Sequence, residues 1–337
     1  MKIAFLGLEQ WERDYLKQKS GLPEGEVVYV DGILDESNLP SPEVAETEVL
    51  SVFVDSKVNT AVLSALPNLK HIATRSTGYD HIDLKTCVER GITVSTVPGY
   101  GEVTVAEYAF ALLLSWSRRV YDGVDRVKEQ SDFSPEGLKG FDLFGKTFGI
   151  IGTGRIGKHT AKIAKGFGME VVAYDVYPNE AAAAEIGFKY LSLDELLKSS
   201  DIVSLHVPYT PENHHLINAD KLKLMKASAV LINTARGSLI DTPALVEALK
   251  NKVIAAACLD VLEEEGVLKD EFGYVKGINQ EADMKAVLAG HILFDLPNVL
   301  VTPHNAFNTQ EALERILATT AENIKAYLVG TPTNLAK

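Results

Sequence analysis

Short apolar runs alternate with amphipathic stretches almost from the first residue. Candidate strands are Ile3–Leu6, Val27–Val30, Val52–Val54, His71–Thr74 and Thr93–Ser95. Between them, apolar residues recur at helical spacing near Trp11–Lys19, Asn59–Ala65 and Asp83–Arg90. That alternation predicts a parallel α/β sheet. Pro98-Gly99 breaks the pattern. A long apolar run then extends from Val103 to Val120. Glu107, Ser115 and Ser117 interrupt it and Arg118-Arg119 close it, short of the ~18 apolar residues of a membrane span, so it predicts a helix buried between domains.

The rhythm resumes from about Leu143 to Thr302, with strands expected at Thr147–Ile151, Val171–Tyr174, Ile202–Val207, Ala229–Asn233, Ile254–Leu259 and Leu300–Thr302. Helices are expected to start at Ser192, Asn218 and Asp241, the last with Pro243 in its first turn. The polar, irregular Glu263–Gly290 stretch predicts a loop excursion near a site. A last helix is expected over about Asn308–Leu328.

The stretch from Lys146 to Asp175 carries the strongest local signal. A strand leads into Gly152, Gly154 and Gly157, spaced G-x-G-x-x-G. Ile156, Ile163, Ala164 and Phe167 repeat at helical spacing behind them, and Asp175 ends the next strand. The glycines allow a tight turn and let backbone N–H groups approach a pyrophosphate, to which the helix N-terminus lends partial positive charge. An acidic residue about 20 positions on accepts hydrogen bonds from a ribose 2′-OH and repels a 2′-phosphate. The complete unit points to NAD.

Composition narrows the partners. The chain has 337 residues, a net charge of −13, 46% hydrophobic and 23% charged residues. That is a globular composition whose acidity argues against a nucleic-acid or anionic-membrane surface. Cys87 and Cys258 give no disulfide framework, the N-terminus reads as a strand rather than a secretory leader, and a cytoplasmic location is expected.

Chemistry-bearing residues follow the later strands. Arg236, in Asn233-Thr-Ala-Arg236-Gly237, falls at a strand's carboxyl end, where its planar guanidinium suits a carboxylate. Asp260 sits likewise, followed by Glu263–Glu265, which alone reads as a solvated acidic run. His304 follows a buried strand and Pro303, and histidine is the natural proton donor and acceptor near neutral pH. No metal-ligand spacing appears.

These segments, with Ala73–Asp83, His206-Val-Pro208, Asn213-His-His215 and Thr302–Phe307, resemble the D-isomer-specific 2-hydroxyacid dehydrogenase family over about Val52 to Arg315. The resemblance implies a Rossmann NAD-binding domain, residues 101–304, inserted into a flavodoxin-like substrate domain of residues 1–100 plus 305–337. The domain cleft would close over the ligands, and the Val103–Val120 helix would help form a homodimer. Arg236 would bind the substrate carboxylate, His304 would act as acid and base, and Glu265 would pair with His304; a neighbouring carboxylate favours an imidazolium. Gly152, Gly154, Arg155, Ile156 and Gly157 would meet the pyrophosphate, Asp175 the ribose, and Val207, Pro208 and Asn213 the adenine side. Thr234, Ala235 and Asp260 would lie toward the nicotinamide. Thr77 and Gly78 would offer N–H groups to substrate, with Phe53, Tyr100 and Phe307 shaping its pocket. The expected reaction interconverts a small 2-keto acid and its D-2-hydroxy acid, foremost pyruvate and D-lactate. Glyoxylate, hydroxypyruvate or branched keto acids are the alternatives, and an NAD-sensing, co-repressor-like binding protein is the rival of another class. The loop from Glu265 to His304, with Phe272, Tyr274, His291 and Phe294, is somewhat longer than the family pattern and could reshape the pocket mouth.

Overall fold

The computed structural model describes residues 1–23, 26–269 and 283–336. The chain divides into two compact units, Met1–Tyr100 with Asn308–Lys337, and Gly101–Phe307. Each has its own parallel sheet.

In the first unit, β1 (Ile3–Leu6), β2 (Val27–Val30), β3 (Val49–Ser51), β4 (His71–Ala73) and β5 (Thr93–Ser95) form a five-stranded sheet. The order is β2-β1-β3-β4-β5, the flavodoxin-like arrangement. Strands β1, β3 and β4 are buried along their whole length, which explains their short apolar sequences. Ile3, Phe5, Val49 and Ala73 pack against Leu317, Ala321 and Ile324 of the helix Gln310–Leu328. Ala4, Leu50, Ile72 and Val94 pack with Val62, Leu63 and Leu66 in a separate cluster.

In the second unit, the strands are β6 (Thr147–Ile151), β7 (Glu170–Tyr174), β8 (Lys189–Tyr190), β9 (Ile202–Leu205), β10 (Val230–Asn233), β11 (Ala256–Leu259) and β12 (Val299–Val301). Their order, β12-β11-β10-β9-β6-β7-β8, reverses direction between β6 and β9. That is the doubly wound plan with its switch point at the glycine turn. Alternate residues feed two clusters. Ile151, Val203, Leu205, Leu231 and Leu259 belong to one; Phe148, Ile150, Ile202, Ile232 and Cys258 belong to the other. Both faces are thus covered, as crossover helices require.

Register matters most for function. Ile151 pairs with Tyr174 and Leu205, Leu205 with Asn233, Asn233 with Leu259, and Leu259 with Val301. The residues that follow these strands therefore leave one edge at one level: Gly152, Asp175, His206, Thr234, Asp260 and Thr302. In open α/β sheets ligands bind at that edge.

Several expectations need correction. The strand expected at Val52–Val54 is Val49–Ser51; Val52–Val54 is the loop leaving the sheet, with Val52 buried and Val54 37% exposed. The expected Val103–Val120 helix ends at Ser117, and a second runs from Val120 to Gln130. Arg119 breaks the path in the left-handed region (φ +51°), its guanidinium 4.6 Å over Trp116 and 2.7 Å from Asp122. The first of these helices belongs to its own unit's core through Ala109, Phe110, Leu112 and Leu113. The second sheet has a seventh strand beyond the six expected, β8, too short to show a period. Part of the expected Glu263–Gly290 loop is helical. Asp283 caps the helix Met284–Asp295, which buries Ala286, Val287, Ala289 and Leu293. Phe272 and Tyr274 lie outside the described residues. His291 and Phe294 share the capped helix, their rings edge-on at 5.6 Å.

Candidate active site

The glycine turn has the shape its spacing implies. A Cβ on Gly157 would lie 2.0 Å from the Gly152 carbonyl oxygen, so the helix Arg155–Gly166 meets the turn at a distance only glycine permits. A Cβ on Gly154 would meet nothing within 4 Å, leaving the helix start open. Asp175 braces the turn: Oδ2 accepts from Thr153 N (2.6 Å) and Oγ1 (2.9 Å), and Oδ1 accepts from Tyr177 N (2.9 Å). Arg155 lies beside Ile156 at the helix start and pairs with Glu102 at 3.0 Å. Val207 packs against Gly152. Asn213 donates to the Pro208 carbonyl at 2.8 Å and accepts from Thr210 N at 2.8 Å, which shapes the loop after β9. His206 is bonded to Ser204 at 2.9 Å, and desolvation pushes it down to about 3.

After β10, Asn233 locks the turn from inside. Its Oδ1 accepts from Ala235 N (3.0 Å) and its Nδ2 donates to the Arg236 carbonyl (2.8 Å). The Arg236 guanidinium donates back to the Ala235 carbonyl at 2.8 Å. The Thr234 hydroxyl is buried with no hydrogen-bond partner among the described residues. A buried orphan hydroxyl calls for a ligand or water. With the open helix start and Asp175 at the end of β7, it makes an edge that fits a dinucleotide.

His304 is held from several sides. Its backbone is left-handed (φ +52°), a conformation that persists only where the surroundings impose it. Its N–H donates to the Asp260 and Thr302 carbonyls, both at 2.9 Å. The buried Asp260 side chain collects Thr302 Oγ1 at 2.5 Å, Asn305 N at 2.9 Å and Ala306 N at 2.8 Å. Burial raises its pKa above the usual carboxylate range against those bonds and the His304 charge. Asp260 was expected to face the nicotinamide. Its hydrogen bonds also shape the loop that carries His304. The ring bonds through Nδ1 to Glu265 Oε2 at 2.9 Å, leaving Nε2 for chemistry, and Phe307 stands edge-on at 6.4 Å. Glu265 Oε1 accepts from Leu262 N at 3.0 Å.

Arg236, Glu265, His304, Asp260, Thr234, Ala235 and Phe307 thus belong to the second unit, as do the cofactor candidates. Phe53, Thr77, Gly78 and Tyr100 belong to the first, in loops after β3, β4 and β5. There Thr77 Oγ1 donates to the Val97 carbonyl and Ser76 Oγ to the Gly78 carbonyl, each at 2.6 Å. The buried Arg75 anchors this loop by donating to the Leu6 carbonyl (2.6 Å) and the Ser51 carbonyl (3.2 Å). The acidic run is not uniformly solvated: Glu263 is only 7% exposed. Glu263 and Arg75 were missed as organising residues because their partners lie on other segments, and no local pattern reveals that.

A sheet edge with a glycine cradle, an arginine and a carboxylate-paired histidine defines a dinucleotide-dependent oxidoreductase site. Residues 110–306 match the sequence model described as D-isomer specific 2-hydroxyacid dehydrogenase, NAD binding domain. The D-lactate dehydrogenase of Escherichia coli K12 is 38% identical over 328 residues, covering 96% of each chain. A glyoxylate reductase of Thermococcus litoralis is 41% identical over 300 residues, 87% of this chain and 84% of that one. The crystal structure of the Aquifex aeolicus D-lactate dehydrogenase complexed with NAD and lactic acid superposes with a TM-score of 0.83 at 39% identity, covering 98% of this chain and 96% of that one. The chain belongs to the D-isomer-specific 2-hydroxyacid dehydrogenase family. It is an NAD-dependent oxidoreductase of that family, and its second unit is the Rossmann domain. No helix among the described residues is long and apolar enough to cross a membrane.

Proposed function

We propose that the chain interconverts pyruvate and D-lactate. The observation that carries this reading is the 2.9 Å His304–Glu265 bond at the same sheet edge as Arg236. Bound NAD supplies the hydride chemistry. Arg236 holds the substrate carboxylate through paired N–H donors and polarises the keto oxygen. His304 Nε2 donates a proton to that oxygen in reduction and removes it in oxidation. Glu265 fixes the ring's orientation through Nδ1. Thr77 and Gly78 add N–H donors, and Phe53, Tyr100 and Phe307 limit the substrate side chain to something small. On the cofactor, Gly152, Gly154, Arg155, Ile156 and Gly157 take the pyrophosphate, Asp175 the ribose, Val207, Pro208 and Asn213 the adenine side, and Thr234, Ala235 and Asp260 the nicotinamide side.

The first unit is proposed as the substrate domain and the second as the cofactor domain. A homodimer through the helical region is supported by an exposed stripe of Val120, Tyr121, Val124 and Val127. Likeness to glyoxylate reductases favours a second reading, glyoxylate or hydroxypyruvate reduction. Loss of NADH absorbance against a panel of 2-keto acids tests both. Pyruvate as best substrate with D-lactate as product supports the first; preference for glyoxylate, hydroxypyruvate or a bulkier acid replaces it. NAD binding without turnover of any of them leaves a cofactor-sensing role.

A further inference from the structure

Two residues before Glu265 stands a carboxylate that the reaction does not use. Glu263 Oε2 accepts from Thr242 N at 3.0 Å and Thr242 Oγ1 at 2.5 Å, and Oε1 bonds His215 Nε2 at 2.7 Å. Thr242 opens the helix Thr242–Lys250, so its amide is one of those the helix leaves unpaired, and the helix start favours an anion. A buried carboxylate is costly unless hydrogen-bonded, so these partners fix the backbone at position 263.

That backbone is constrained from its other side as well. A Cβ on Gly237 would lie 2.0 Å from Leu262 C and 2.4 Å from Glu263 N, so the turn after Arg236 is pressed against the 262–263 peptide. Leu262 N in turn donates to Glu265 Oε1. Glu264, between the two carboxylates, is left-handed (φ +56°), as are His215 and His304 (both φ +52°). Such strain is retained only where packing over-determines it. The ligand atoms of His214, His215 and Glu263 lie within 4.8 Å of one another. Glu263 Oε1 meets His215 and Oε2 takes both Thr242 donors, so the cluster closes as a hydrogen-bonded clamp.

We propose that Glu263, clamped by His215 and Thr242, is a positioning residue that fixes the segment from which Glu265 reaches His304. It sets the geometry of proton transfer without touching substrate or cofactor. The proposal rests on the acid–base reading of the Glu265–His304 pair.

The test compares wild type, Glu263→Gln and Glu265→Gln for kcat, KM and the kinetic isotope effect with 4-deuterated NADH. Glu263→Gln is expected to lower kcat by roughly ten- to a hundredfold, the cost of about an ångström of misplacement. KM should stay within about twofold, since ground-state binding is untouched. The isotope effect on kcat should rise toward that of Glu265→Gln as chemistry becomes limiting. A purely structural role would reduce the fraction of active protein and leave the isotope effect at the wild-type value, overturning the proposal. If Glu263→Gln does not fold, Thr242→Val removes one arm of the clamp and should move the same observables, with Thr242→Ser restoring them. Wild-type behaviour of Thr242→Val overturns the proposal too. If Glu265→Gln itself is unaffected, the acid–base reading fails first and the clamp falls with it.

Discussion

Replacing Gly237 by alanine tests how tightly the arginine turn and the acidic segment are built together. Gly237 does not need a left-handed backbone, so the substitution acts through space alone. The added Cβ would lie 2.0 Å from Leu262 C, 2.1 Å from its oxygen and 2.4 Å from Glu263 N, whereas ordinary contact begins at 3.4 Å. All three neighbours are backbone atoms, so no side chain can swing away. Relief requires about 1.4 Å of separation between the segment carrying Arg236 and the one carrying Glu265. Overpacking of this kind costs about 1–3 kcal/mol of stability. An ångström of misplacement between reacting groups costs on the order of a hundredfold in rate. Steady-state NADH oxidation with pyruvate, alongside urea denaturation, separates the two effects. The expected result is a folded, mildly destabilised protein with kcat down roughly a hundredfold. A folded variant with wild-type kcat would refute the coupling between these segments.

Other expectations follow from the same geometry. His304→Ala should lower kcat by roughly 10²–10⁴-fold, the usual worth of a general acid, while Arg236→Ala should chiefly raise KM for the keto acid; an unchanged rate in the first removes the acid–base assignment. The wild-type enzyme should use NADH far better than NADPH, and Asp175→Ser should narrow that gap; equal kcat/KM for both cofactors in wild type removes Asp175 from the ribose. His71 is fully buried, stacks on Tyr327 at 4.4 Å, and burial pushes it down to about 4 from the usual 6.5. The unfolded chain therefore binds this proton first, so stability should be intact above about pH 6.5 and fall by up to about 3 kcal/mol as pH drops toward 4. Urea denaturation of wild type and His71→Phe across that range should show a shallower loss in the variant; parallel curves would exclude His71 as the source.

What the sequence revealed follows the range over which each signal acts. The glycine turn, the capped starts at Ser192, Asn218 and Asp241, and most strand positions are local, and the structure has them. The residues after β10, β11 and β12 could be ordered along one edge because parallel strands end together. Harder to read was anything set by a partner far along the chain. Glu263 looks solvated in its acidic run, yet His215 and Thr242 bury it from 48 and 21 residues away. Arg119 looks like the end of a long helix, yet it turns the chain into a second one. Asp260 was legible as a strand-end residue, but its bonds to the His304 loop depend on β12 lying alongside β11.

The division of the chain has a consequence for its synthesis. The first unit is begun by residues 1–100 and finished only by 308–337, with the whole second unit made in between. Until the helix Gln310–Leu328 emerges, Ile3, Phe5, Val49 and Ala73 have no Leu317, Ala321 or Ile324 to cover them. The edge strand β5 also waits for Leu335 and for the Ala336 amide that bonds Val94. At about 5–20 residues per second the intervening roughly 200 residues take on the order of 10–40 s to make. For that interval the nascent chain carries an apolar sheet face open to other molecules, while the second unit, continuous in sequence, can close as soon as it leaves the ribosome.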